Sequence, residues 1–230
     1  MKVTKIQQQV KRSDRYSIYI DEKYSFSLSD YQLVGSGVHV GKEFTAAELD
    51  EFLQESQFGR AYERALNYVM IRPRSKKEIN DYLIRTFLYP KPKVFTDKSG
   101  KRRVKKVAVN KAKVRHMIGR VMERLHEKGY IDDRRFAAAW VDSRQAYKKP
   151  SRRKLEQELF AKGVDQQIIA TLLQDSEETE KENLRLLIMK KRKLSRYQDE
   201  IKLKQYLLRQ GFNYDDIREV LADGLDKSAT

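Results

Sequence analysis

One stretch of this chain repeats itself 48 residues later, and that period constrains the fold more than any other feature. Leu155, Leu159, Gly163, Ile169, Leu173 and Asp175 of LEQELFAKGVDQQIIATLLQD fall on Leu203, Leu207, Gly211, Ile217, Leu221 and Asp223 of LKQYLLRQGFNYDDIREVLAD. Each copy reads as an apolar helix, a Gly stop, a polar cap (Asp165, Asn213) and a second apolar helix, the Gly supplying the left-handed residue past a helix end. A looser copy lies upstream. Ser75 and Glu78 have capping-box spacing, and Ser75, Ile79, Tyr82 and Leu83 match Ser151, Leu155, Glu158 and Leu159 at a shift of 76. The preceding helices correspond too: Ala65, Tyr68, Val69 and Arg72 fall on Ala137, Trp140, Val141 and Arg144 at a shift of 72. Internal periodicity of this kind marks stacked helical units, each too small to bury its apolar face alone.

The reading is therefore mainly α: an elongated, curved tandem array of three three-helix, helix-turn-helix-like repeats. Helices are expected at 60–72, 75–88 and 112–128, then 132–146, 151–162 and 165–175, then 177–194, 198–210 and 213–225. The repeats occupy 60–131, 132–175 and 176–230, and a small α+β domain over 1–59 precedes them. In that head, Val3, Ile6 and Val10, then Tyr16, Ile18 and Ile20, then Tyr24, Phe26 and Leu28 alternate as strands, with a turn at Asp21 to Lys23. A helical turn follows Ser29, Val38-His39-Val40 reads as a further short strand, and Thr45 with Glu48 opens a helix. Tyr16, Tyr19, Tyr24 and Phe26 form either an apolar sheet face packed on that helix or a platform for stacking bases.

The first repeat is interrupted at 89–110 by a basic insertion, read as a β-hairpin arm turning at Asp97 to Gly100 or as a disordered loop. Charge is concentrated there. Residues 60–115 carry a net +14 of the chain's +16, against −2, +3 and +1 for residues 1–59, 116–175 and 176–230. Charged residues make up 36% of the sequence, above the ~25% of ordinary globular chains, so the core is thin and a polyanionic partner is expected.

Basic runs recur where the first and second helices of each repeat meet: Arg72, Arg74, Lys76 and Lys77, then Lys148, Lys149, Arg152, Arg153 and Lys154, then Lys190, Lys191, Arg192 and Lys193. With Arg144 and the arm residues Lys101, Arg102, Arg103, Lys105 and Lys106, these are the candidate DNA- or protein-contacting residues. Helix C-termini attract cations, which accounts for 190–193 and part of Arg72. It does not account for Arg152 to Lys154, which begin a helix.

Enzyme chemistry is poorly represented. The chain has no Cys and three scattered His, His39, His116 and His126, so no disulfide, thiol nucleophile or metal centre is expected. No phosphate-binding glycine loop, zinc-protease motif or serine elbow occurs. Asp132 and Asp133 follow Gly129-Tyr130-Ile131 and read as helix caps rather than an acid/base pair. Trp140 reads as core. Without a membrane-length apolar run or a signal peptide, the expected place is the cytoplasm, without cofactor and as a monomer.

Two motifs resemble a known family. Ala65, Leu66, Arg72, Arg74, Ser75, Glu78 and Ile79 are similar to the AL..L..R.RS..EL signature of the RecX regulatory proteins, which modulate the RecA recombinase. Gly129, Tyr130, Ile131, Asp132, Asp133, Phe136, Ala137, Trp140, Val141 and Arg144 are similar to the same family's GYLDD..FA..WV..R signature. The resemblance covers about 60–225, and the head resembles the N-terminal extension of longer members. It implies a non-enzymatic protein in the helical groove of the RecA filament on DNA, restraining ATP hydrolysis, strand exchange and the SOS response. The insertion after Leu88 departs from the pattern, where members generally have a short loop. From the residues alone, a general single- or double-stranded DNA binder, or a helix-turn-helix reader using Arg153 to Leu173, also stays open.

Overall fold

The computed structural model describes residues 1–10, 12–96, 99–105, 107–174 and 177–226. Lys106 of the candidate set, and Asp97 of the expected arm turn, lie outside them. The chain divides into two compact units: Met1–Arg72 with Ile79–Tyr130, and Pro73–Glu78 with Ile131–Thr230.

In the first unit, β1 (Val3–Gln9), β2 (Arg12–Ile20) and β3 (Lys23–Ser29) form an antiparallel meander in that order. Alternation turns Val3, Ile18, Ile20, Phe26 and Leu28 into a core with Val38 and Phe44. Phe26 is thus a core residue and Tyr16 packs against the same cluster, whereas Tyr19 and Tyr24 stand outside it as an edge-to-face pair with Tyr24 exposed, so the four aromatics do not share one face. Val38-His39-Val40 is not a strand; the residues after it meet the β1 edge through a bridge of Lys2 with Glu43 and through Val3 N–H donating to Lys42 O and Gly41 N–H to Val3 O, both at 2.8 Å. Arg15, buried beneath the sheet, pairs with Glu63 at 2.7 Å and donates to Ser27 O at 3.1 Å.

After α1 (Asp30–Ser36), the Thr45–Glu48 capping box opens α2 (Ala46–Met70). The helix expected to start at 60 is its continuation, a single 25-residue helix. Below α3 (Lys76–Leu83) the chain adds a π-helical turn, Ile84–Leu88, closed by Tyr89 N–H donating to Ile84 O at 3.1 Å. The arm is an antiparallel hairpin of β4 (Lys93–Thr96) and β5 (Arg102–Lys105), pairing Val94 with Val104 and Phe95 with Arg103. α4 (Lys111–Glu127) packs along α2 through Lys113–Asp50 at 2.8 Å and the Arg120 guanidinium 4.5 Å over the Phe58 ring.

The second unit holds α5 (Asp133–Tyr147), α6 (Arg152–Ala161) and α7 (Gln166–Leu172), then α8 (Glu177–Arg192), α9 (Glu200–Arg209) and α10 (Tyr214–Asp226). A 3-10 turn, Ser195–Tyr197, fills the expected link between α8 and α9, and α9 starts two residues later than expected. Positions matched by the period have matching burial: Leu155, Leu159, Val164, Ile169 and Leu173 anchor one core, and Leu203, Leu207, Phe212, Ile217 and Leu221 the other. No helix among the described residues is long and apolar enough to cross a membrane.

Candidate functional site

Two of the basic runs of the second unit, at 76–77 and 152–154, meet at a joint that occurs twice. Ser151 N-caps α6, its hydroxyl accepting from Lys154 N–H at 3.2 Å. Its own N–H donates to Gln210 O, at the C-terminal end of α9, at 3.1 Å. One repeat earlier, the Ser75 hydroxyl accepts from Glu78 N–H at 3.1 Å and donates to Lys162 O, at the C-terminal end of α6, at 2.7 Å. The start of a second helix therefore meets the end of the next repeat's second helix, positive dipole end to negative. Both serines are buried.

Two glycines make the approach possible. An added Cβ at Gly163 would lie 2.7 Å from Lys77 Cβ, and one at Gly211 would lie 2.5 Å from Ser151 Oγ. Their φ angles of 77° and 89° are left-handed as well. The joint also explains the cations that helix-start logic left unexplained. Lys76 and Lys77 sit at the end of α6, and Arg152 to Lys154 at the end of α9, where carbonyl groups of the partner helix favour positive charge.

A second network ties α5 to α6 beside the first joint. Glu158 Oε2 accepts from Trp140 Nε1 at 3.0 Å and from Arg144 Nε at 2.7 Å. The Arg144 guanidinium lies 4.4 Å over the Trp140 ring, Lys162 Nζ lies 4.9 Å over it, and Lys162 also pairs with Glu78 at 2.7 Å. Arg144 thus has a structural partner. Asp132 caps Arg135 N–H at 3.0 Å and Asp133 accepts from Lys76 N–H at 2.8 Å, so both carboxylates serve backbone donors. Sequence reasoning identified the first role and missed the second, which spans 57 positions.

The remaining candidates separate by partner. Arg152 pairs with Glu156 at 2.9 Å, and its N–H donates to Glu180 at 3.2 Å. Burial raises the Glu180 pKa, against the lowering effect of that donor. Lys191 lies 4.7 Å over the Tyr206 ring. Arg72, Arg74, Lys77, Lys101 and Arg103 are all engaged within the chain. Among the described residues, Lys148, Arg153, Lys190 and Lys193 are exposed without an ion-pair partner, as are Lys76 and Arg102, while Lys149 and Arg192 are half-buried. Arg72 and the arm residues Lys101 to Lys105 belong to the first unit, and the other described candidates to the second. No cluster of His, Asp and Glu among the described residues is arranged to hold a metal.

Three family models match the chain: the regulatory protein RecX N-terminal domain over residues 1–45, the RecX second three-helix domain over 132–173 and the RecX third three-helix domain over 178–221. "Regulatory protein RecX" of Listeria welshimeri is 27% identical, with 97% of each chain covered. The protein of that name from Bacillus licheniformis is 28% identical over 96% of this chain and 76% of its own. A crystal structure of regulatory protein RecX superposes with a TM-score of 0.61 at 22% identity, covering 96% of this chain and 98% of that one, and shares the fold. With matching models at its head and in both later repeats, and full-length relatives of one name, the chain belongs to the RecX family of regulatory proteins.

Proposed function

We propose that this protein regulates the RecA recombinase, mainly as an inhibitor, by lying in the groove of the RecA–DNA filament and restraining ATP hydrolysis, strand exchange and SOS induction. Its partners are then RecA and DNA, its role is non-enzymatic, and it acts in the cytoplasm as a monomer without cofactor. Family membership supports a regulatory role. The observation that carries the binding mode is the set of exposed, unpaired cations Lys148, Arg153, Lys190 and Lys193 at the helix junctions of successive repeats. Cations with no internal carboxylate lose little hydration and no salt bridge when a phosphate or acidic side chain replaces water. Regulation requires tighter binding to one filament state than to the other, because equal affinity shifts no population.

The test is RecA ATP hydrolysis on single-stranded DNA during titration of this protein, repeated with a large excess of DNA. Inhibition well below one molecule per RecA, persisting in excess DNA, is the expected result. Inhibition only at amounts that coat the DNA, relieved by more DNA or moderate salt, would replace this reading with a general DNA binder.

A further inference from the structure

A concave surface of about 820 Å³ opens in the first unit, between α2, the π-helical turn, the return of the arm and the start of α4. Among the described residues five cations line it, Arg60, Arg64, Arg85, Lys91 and Lys113, and no Asp or Glu does. Lys113 is neutralised by Asp50 at 2.8 Å. Arg85 donates only to the Asp81 backbone carbonyl at 3.3 Å, and Arg64 rests 5.8 Å over the Phe87 ring. Arg60, Arg64 and Arg85 have no carboxylate partner among the described residues. Desolvation, with repulsion from Arg64 and Arg15, lowers the Arg60 pKa from the ordinary arginine value. Clustered cations that repel one another and lack internal counter-charge mark a site whose counter-charge comes from outside.

The other walls are of a different kind. Tyr82 and Phe87 supply aromatic surface, and the buried Met117 of α4 supplies an apolar floor. The π-helical turn puts Arg85, Thr86 and Phe87 on this surface, and such turns are enriched at functional sites. The volume falls within the ~300–1,000 Å³ of small-molecule sites, which are mostly apolar with a few placed charges. Guanidinium groups match phosphate oxygens with paired donors, and an aromatic edge suits a flat heterocycle. None of the candidate cations at the helix junctions lines this surface.

We propose that this surface is a nucleotide-binding site, with the phosphates held by Arg60, Arg64 and Arg85 and the base against Phe87 and Met117. The nucleotide is either a free nucleoside triphosphate or the end of a single strand, since both present a base beside phosphate.

The experiment is calorimetric titration of the full chain with ATP, adenosine, tripolyphosphate and pentathymidylate. Expected are saturable one-to-one binding of ATP and at least tenfold weaker binding of adenosine and of tripolyphosphate. Arg64→Ala and Arg85→Ala should each weaken ATP at least tenfold with unchanged melting, and Phe87→Leu should weaken ATP while sparing tripolyphosphate. Arg85, being exposed, keeps the test valid if Arg64→Ala fails to fold. Pentathymidylate binding as tightly as ATP, with the same Arg85 dependence, assigns the site to a strand end, and failure to compete assigns it to the free nucleotide. No saturable binding of either at millimolar concentration, or binding indifferent to Arg64 and Arg85, overturns the proposal. Arg153→Glu, which bears on filament binding, should leave ATP binding intact, so the two readings fail independently.

Discussion

The Ser75 hydroxyl donates to the carbonyl oxygen of Lys162 at 2.7 Å across 87 positions of sequence, while accepting from Glu78 N–H. One buried side chain thus caps its own helix and satisfies the end of another. Ser75→Ala removes both bonds and leaves a buried acceptor, so a loss of about 1–3 kcal/mol is expected in urea unfolding. A loss within error of zero would mean that the joint is decorative.

Two left-handed glycines, one at a joint and one away from it, offer a graded comparison. Gly129 and Gly211 both have left-handed φ, 72° and 89°, but an added Cβ meets nothing at Gly129 and Ser151 at Gly211. Gly129→Ala should cost only the backbone strain of about 1–2 kcal/mol, and Gly211→Ala clearly more. Equal losses in thermal unfolding would show that close approach contributes nothing.

Trp140 is the sole tryptophan, and its indole N–H donates to Glu158. Its fluorescence therefore reports the α5–α6 network directly. Glu158→Ala leaves Arg144 without its carboxylate and should shift the emission and lower stability by about 1–3 kcal/mol. Arg153→Glu, at an exposed unpaired cation, should change stability by no more than about 0.5 kcal/mol while weakening filament binding. A spectral or stability change from Arg153→Glu, with binding intact, would reverse these assignments.

Acid should destabilise the fold through its paired carboxylates. The Thr45 N–H and hydroxyl lower the Glu48 pKa, and Lys113 lowers that of Asp50. Because their folded values lie below the unfolded ones, their contribution is complete above the ordinary carboxylate range and is lost as pH falls through the folded values. Glu180 runs the other way. Its raised value makes its ionised form a liability, which appears as pH rises from the ordinary value through the raised one. Glu48→Gln should flatten the acid limb of a stability–pH curve, and Glu180→Gln should remove a decline on its rising side. Unchanged curves for both would refute the assignment.

The repeat was readable because its signal is local: a Gly stop, a polar cap and leucines at helical spacing recur at a fixed interval, and the matched leucines are buried alike. The joints were not, because they connect residues far apart in sequence through backbone carbonyls, which every residue possesses. The helix start expected at 60 failed for a different reason. Gly59 lies inside α2, where a Cβ would run into the Gln32 side chain that completes the α1 capping box, so the helix runs unbroken through that position. The cationic runs were visible as composition, but which of them have carboxylate or carbonyl partners depends on packing. Arg60, Arg64 and Arg85 escaped notice because they stand singly, separated along α2 and the π-helical turn, and only folding gathers them.

The head-to-tail seam has a direction, and direction carries a hazard. A module that accepts a helix end at one face and offers one at the other is, in principle, a monomer for an endless fibre. Asp199 bears on that hazard. Where α3 and α6 begin at buried serines that reach a neighbouring helix end, Ser75 through its hydroxyl and Ser151 through its backbone N–H, α9 begins at an exposed aspartate whose carboxylate already accepts from Ile201 and Lys202 N–H. The charge of that carboxylate repels the oxygen-rich C-terminus of an incoming helix, so position 199 disfavours a further joint at the start of α9.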